Sequence, residues 1–146
     1  MRSSAASIIV SLLMAACASA DKPREPVMSG ATALVVIARD ATLGSGPLGV
    51  GDRFGLDGKM VAFVSFTWPQ NHSSWGPQVF ESRWYSGDRL VIKRETELIV
   101  STQPYHFWSH VFPTDLGVGP GHYEVLAGGK KLAEKSFEIV GPALTQ

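Results

Sequence analysis

From Ala33 to Val140 short β-branched and aromatic runs alternate with clusters of Gly, Pro, Asp and Asn, and no stretch carries a helical period. That pattern predicts an all-β domain of antiparallel strands. Ala33 to Arg39 reads as the first strand, followed by a long Gly-rich connection from Asp40 to Lys59. Met60 to Trp68 is apolar on both faces in its first half, while Ser65 and Thr67 later alternate with Phe66 and Trp68, as expected of a central strand. In Val79 to Tyr85, Phe80, Ser82 and Trp84 share one face against Glu81 and Arg83, which makes Trp84 a core residue. The turn Ser86, Gly87, Asp88 then leads into Arg89 to Glu95. Thr96 to Ser101 and Pro104 to Phe112 are further strands, and Gly128 and Gly129 join His122 to Ala127 with Lys131 to Val140 in a hairpin. About seven strands in ~110 residues match an immunoglobulin-like antiparallel β-sandwich, with a small β-barrel as the alternative. The sandwich is expected over residues 32–141, with 142–146 as a tail.

The N-terminus follows a different pattern. Arg2 precedes an apolar run from Ala5 to Ala16, which small residues and then Asp21, Lys22, Pro23 and Arg24 end abruptly. This is the form of a secretory signal over residues 1–16, and the run is shorter than the roughly 20 apolar residues of a membrane span. Leu13, Met14, Ala15, Ala16 and Cys17 resemble the lipobox of bacterial lipoproteins, in which the thiol carries a diacylglycerol and cleavage falls just before it. The only cysteine of the chain occupies the position such a motif requires. Cleavage after Ala20, in an A-x-A setting, is the competing reading and would leave a soluble periplasmic or secreted protein. The first reading places the chain in the cell envelope as an outer-membrane lipoprotein facing the periplasm or the surface, with residues 17–31 as a tether.

Removing residues 1–16 takes away only Arg2 from 13 basic side chains, against 13 acidic ones, so the mature domain is close to neutral. It lacks the basic footprint of a nucleic-acid binder. With a single Cys no intrachain disulfide is available, so packing must hold the fold, and four Trp, seven Phe and three Tyr supply the area.

Little in the chain points to catalysis. The lone Cys is spent at the N-terminus, no G-x-S-x-G elbow is present, and Glu81, Glu124, Glu134 and Glu138 alternate outward along strands as solvated charges do. His106 and His110 have H-x-x-x-H spacing, but on a strand they lie ~13 Å apart and cannot share an ion. No cofactor or metal site is expected, and no enzyme. The aromatic pattern of Pro104 to Phe112 is more informative: Tyr105, Phe107 and Val111 share one face, while His106, Trp108, His110 and Phe112 share the other. The simpler reading covers both faces, as in a central strand. The alternative leaves His106, Trp108 and His110 outward, near the loop holding Trp68 and Trp75, as a stacking surface for a glycan or a protein.

Three groups of residues carry a resemblance. They are Arg24 to Val27 with Ala62 to Val64, then Arg83 to Tyr85 with Phe107 to Ser109, then Gly119 to Val125 with Gly129 to Glu134 and Phe137. Together they resemble a bacterial family of envelope proteins of unknown function, although His122 stands where Trp is more usual and Ser82 where His is expected. The resemblance implies an immunoglobulin-like fold and an envelope location, and no reaction. The expected function is a non-catalytic envelope lipoprotein that binds an envelope protein or serves assembly. The alternative is a carbohydrate-binding module for peptidoglycan or surface polysaccharide using Trp68, Trp75 and Trp108.

Lipidation is directly testable. Cys17→Ser should move the protein from the membrane to the soluble fraction, and the intact mass of the native chain should show acylated Cys17. A mature chain beginning at Asp21 without lipid would contradict the lipobox reading.

Overall fold

The computed structural model describes residues 25–143; Cys17, the signal segment and residues 144–146 lie outside the described part. In chain order the elements are β1 (Thr32–Ala38), β2 (Asp40–Thr42), β3 (Gly46–Leu48), β4 (Arg53–Phe54), β5 (Met60–Thr67), β6 (Gly76–Ser86), β7 (Arg89–Val100), β8 (Tyr105–Val111), one helical turn α1 (Pro113–Leu116), β9 (Gly119–Ala127) and β10 (Lys130–Ile139). They form a three-stranded sheet in the order β1-β5-β8, a five-stranded sheet in the order β4-β10-β9-β6-β7, and a separate β2–β3 hairpin. Pairing is antiparallel throughout, except that β4 runs parallel to β10. The sheets stay separate and do not close, so the architecture is a β-sandwich and not a barrel.

Strand alternation builds the core. From the small sheet, Val35 and Ile37 of β1, the even-numbered residues Met60 to Phe66 of β5, and Phe107 and Val111 of β8 point inward; the large sheet answers with Phe80, Trp84, Tyr123, Val125, Phe137 and Ile139. Trp84 is fully buried, as its alternation predicts, and lies edge-on to Tyr123 with ring centroids 4.8 Å apart. Its indole N–H crosses the core and donates to Ser109 Oγ at 3.2 Å. Ser82 Oγ and Tyr123 Oη pair at 2.8 Å. These two bonds allow Ser and Tyr hydroxyls to sit among apolar side chains without the cost of an unpaired buried polar group. Burial pushes the Tyr123 phenol up to about 12, partly opposed by its bond to Ser82. Gly121 permits close packing within β9, since a Cβ there would lie 2.6 Å from both the Phe137 ring and the Tyr85 carbonyl oxygen.

Several sequence expectations need correcting. Arg89–Val100 is one 12-residue strand, where a break before Thr96 was expected; no turn residue separates Glu95 from Thr96, and both pair with β6. The Gly-rich connection contains β2, β3 and β4, too short to show a period. Of these, β4 is fixed to the end of β10 by Glu138 N–H donating to the Asp52 carbonyl at 2.7 Å and Val140 N–H donating to the Phe54 carbonyl at 2.8 Å. The segment read as a tether is not free from residue 25 onward: Val27, Met28 and Ala31 pack against the core, and Trp68 donates its indole N–H to the Val27 carbonyl at 2.9 Å. Met60–Thr67 is central as expected, but Pro104–Phe112 supplies an edge strand instead of one covered on both faces.

Trp84→Ala should destabilise the domain by roughly 3 to 5 kcal/mol, a large part of a typical total of ~5 to 15 kcal/mol. A chemical melt close to that of the parent would contradict the core assignment. The phenol of Tyr123 titrates near 10 when unfolded and about 12 when folded, so its contribution is complete below pH 10 and is lost as pH rises toward 12. Tyr123→Phe should therefore lack an alkaline loss of about 3 kcal/mol that the parent shows. Equal alkaline losses in both proteins would contradict it.

Candidate functional site

The two outer faces of the sandwich differ in chemistry. On the five-stranded sheet, side chains pointing away from the core form charged cross-strand ladders. Lys93 Nζ lies 3.0 Å from Glu81 Oε2, and Arg83 bonds the other oxygen of the same carboxylate. Lys93, followed by Arg83, holds the Glu81 carboxyl below the usual carboxylate range. Glu124 accepts from Tyr85 Oη at 3.2 Å and from Lys131 Nζ at 3.4 Å, and Lys131 also reaches Glu134 at 2.6 Å. These charges satisfy one another, beside the stacked Tyr85–His122 pair, while Val79 and Ile99 are exposed apolar positions toward one end of the same face.

The outer face of the three-stranded sheet is aromatic. Register places Phe63 of β5 opposite Trp108 of β8, and Ser65 opposite His106. The Phe63 ring stacks on His106 at 5.3 Å and on Trp108 at 6.1 Å, and His106 Nδ1 and Ser65 Oγ share a hydrogen bond of 2.9 Å. The β2–β3 hairpin folds over part of this face, burying Ala41 against Val61 and Phe63. Its tip holds Leu43, 89% exposed, above a groove of about 320 Å³ that Trp108, His106 and Phe63 line. Phe63 is buried, Trp108 half-buried, and His106 and His110 exposed.

A second groove, of about 450 Å³, continues around the edge of β8 toward β7. Leu43, His106, Trp108 and His110 border it on one side and Arg94, Thr96 and Leu98 on the other, with Phe107 and Ser109 between. Arg94 donates to the His110 carbonyl oxygen. Neither groove is lined by an Asp or Glu among the described residues. The Ser65–His106 pair thus stands without a carboxylate from either groove lining beside it. The two grooves present aromatic and aliphatic surface, imidazoles and the single guanidinium of Arg94.

The structure brings together only part of the expected site. His106 and Trp108 share one patch, and His110 lies farther along the same strand beside Phe112, with ring centroids 6.4 Å apart. Trp68 continues the inward parity of β5, is only 6% exposed, and stacks on His72 at 5.5 Å and edge-on to Trp75 at 5.4 Å. His72 is held in turn by the Ser74 carbonyl at 2.9 Å, and Trp75 packs on the core. Trp68 and Trp75 thus close one end of the sandwich and do not join Trp108. Phe63, Ser65, Leu43 and Arg94 were not identified from the sequence. The apolar first half of β5 on both faces hinted at Phe63, but Ser65 and Arg94 need the strand pairing, and Leu43 stands in a stretch with no period.

No family model matches the chain, and no curated protein matches it. Among solved structures it is similar to an immunoglobulin-like protein from Pseudomonas aeruginosa, at 12% identity over 82% of this chain and 100% of that one, with a TM-score of 0.47. It is also similar to a β-glucosidase from Listeria innocua, at 9% identity over 77% of this chain and 16% of that one, with a TM-score of 0.47.

Because Trp108 is half-buried on one side of Phe63, Trp108→Ala should cost about 1 to 2 kcal/mol, well below the loss at Trp84. The two variants compared in one urea titration check this. A loss at Trp108 as large as that at Trp84 would mean that the outer face belongs to the core.

Proposed function

We propose that the protein is a non-catalytic module of the cell envelope, anchored through acylated Cys17, that binds a partner protein with the outer face of its three-stranded sheet. The observation that carries this reading is the contrast between the faces. One is dominated by a charge ladder whose members pair with one another; the other presents Trp108 over Phe63 beside His106, beneath the exposed Leu43, where an apolar groove lies. Protein interfaces concentrate their energy in a few such aromatic anchors. The glycan-binding alternative has less support, because Trp68 and Trp75 are committed to His72 and the core, which leaves Trp108 as the lone outward indole of the three.

A photo-crosslinking amino acid placed at Leu43 should form a discrete protein adduct in intact cells. The same probe at Lys93, on the charged face, should not. Trp108→Ala should remove the Leu43 adduct. Adducts from Lys93 alone, or a Leu43 adduct indifferent to Trp108, would contradict the assignment. Sedimentation with purified peptidoglycan that depends on Trp108, with no protein adduct, would favour the glycan module instead.

A further inference from the structure

The two sheets are unequal, and the difference leaves one sheet edge with an uncovered neighbour. Trp84 of β6 bonds Ser109 of β8 across the core, which sets β8 over β6. The next strand of the large sheet, β7, therefore extends past the small one, and its core-side residues Arg94, Thr96 and Leu98 line the groove of about 450 Å³ instead of meeting an opposing strand.

The backbone of β8 points into the same groove. In an antiparallel pair, alternate residues direct both N–H and C=O toward the partner strand and the intervening ones direct both away. On β1 the Ile37 carbonyl faces away from β5, since it accepts from Gly51 N–H at 3.0 Å. Val36, one residue back, therefore bonds β5 at its register partner Phe63, and so Val64 bonds β8 at Phe107. By that parity His106, Trp108 and His110 turn their N–H and C=O groups to the free edge. The contact from Arg94 to the His110 carbonyl independently requires the same direction. Among the described residues nothing bonds the backbone groups of His106 and Trp108 on that side.

We propose that β8 accepts a further strand: an extended peptide segment of the partner that pairs with the backbone of His106 and Trp108 and lies over the core side of β7. This names the occupant of the face assigned above and rests on that reading. A row of sheet-edge donors and acceptors is matched in full only by another extended backbone. The apolar surfaces of Phe107, Leu98 and Leu43 favour apolar side chains on one face of the segment. Arg94, with no carboxylate lining the groove, favours an acidic residue near its His110 end.

The probe is a capped seven-residue peptide alternating valine with threonine and glutamate, titrated into the full chain. Binding should slow hydrogen exchange of the His106 and Trp108 amides at least tenfold. Two N-methylated versions, each blocking alternate amides, should separate: one should bind like the parent peptide and the other at least tenfold more weakly, because only one set faces β8. Arg94→Gln should weaken the acidic peptide roughly tenfold while leaving a version with lysine in place of glutamate unchanged. Absence of binding at millimolar peptide, unprotected His106 and Trp108 amides, or equal binding of both N-methylated versions would overturn the proposal. A chain that dimerises through β8 and excludes the peptide would assign the edge to a second copy and overturn it as well. If the peptide fails while the Leu43 adduct still depends on Trp108, strand addition falls and the binding face stands; loss of both removes the two together.

Discussion

The packing of Trp84 between the sheets is the interaction on which the rest depends. The chain's only cysteine is Cys17, so no disulfide ties the two sheets together, and the large inward side chains must do so. Trp84 contributes area and direction together. Its ring packs on Tyr123 and Phe137 of the large sheet, and its N–H bonds Ser109 of the small one. This fixes β8 over β6, and from that placement follow both the overhang of β7 and the groove at the β8 edge.

The same geometry explains why the outer faces diverged. β6, β7, β9 and β10 lie side by side in the large sheet, with outward positions close enough for cross-strand ion pairs, and Glu81, Lys93, Glu124 and Lys131 form them. The small sheet has one central strand. Its outward Val61 and Phe63 need cover, which Ala41 of the β2–β3 hairpin and the flanking Trp108 supply, leaving Trp108 itself half-buried. An aromatic patch at the border between cover and solvent results, continuous with a sheet edge.

How much of this was legible in the sequence depended on whether information was local. Period-two alternation is local, so β5, β6 and the β9–β10 hairpin, together with the core role of Trp84, could be read from the residues. The residues of β8 were also grouped correctly, Phe107 and Val111 on one face and His106, Trp108 and His110 on the other, but the simpler reading covered both faces, and the structure leaves the second exposed or half-buried. The place of β8 at the edge was not legible, because strand order is a long-range property. Trp68 and Trp75 looked like companions of Trp108, yet Trp68 keeps the inward parity of Phe66 and Trp75 follows it onto the core. Phe63, Ser65 and Arg94 join the site only through register and sheet overhang, which no single segment encodes.

The central claim is that β8 is an edge whose outward backbone groups are free for a partner. Residue-resolved amide hydrogen exchange on the unbound protein tests it most directly. The account predicts alternation along the strand, with His106 and Trp108 exchanging fast and Phe107 and Ser109 protected by their bonds to β5. Uniform protection from Tyr105 to Val111 would show that something already covers this edge and would contradict the account.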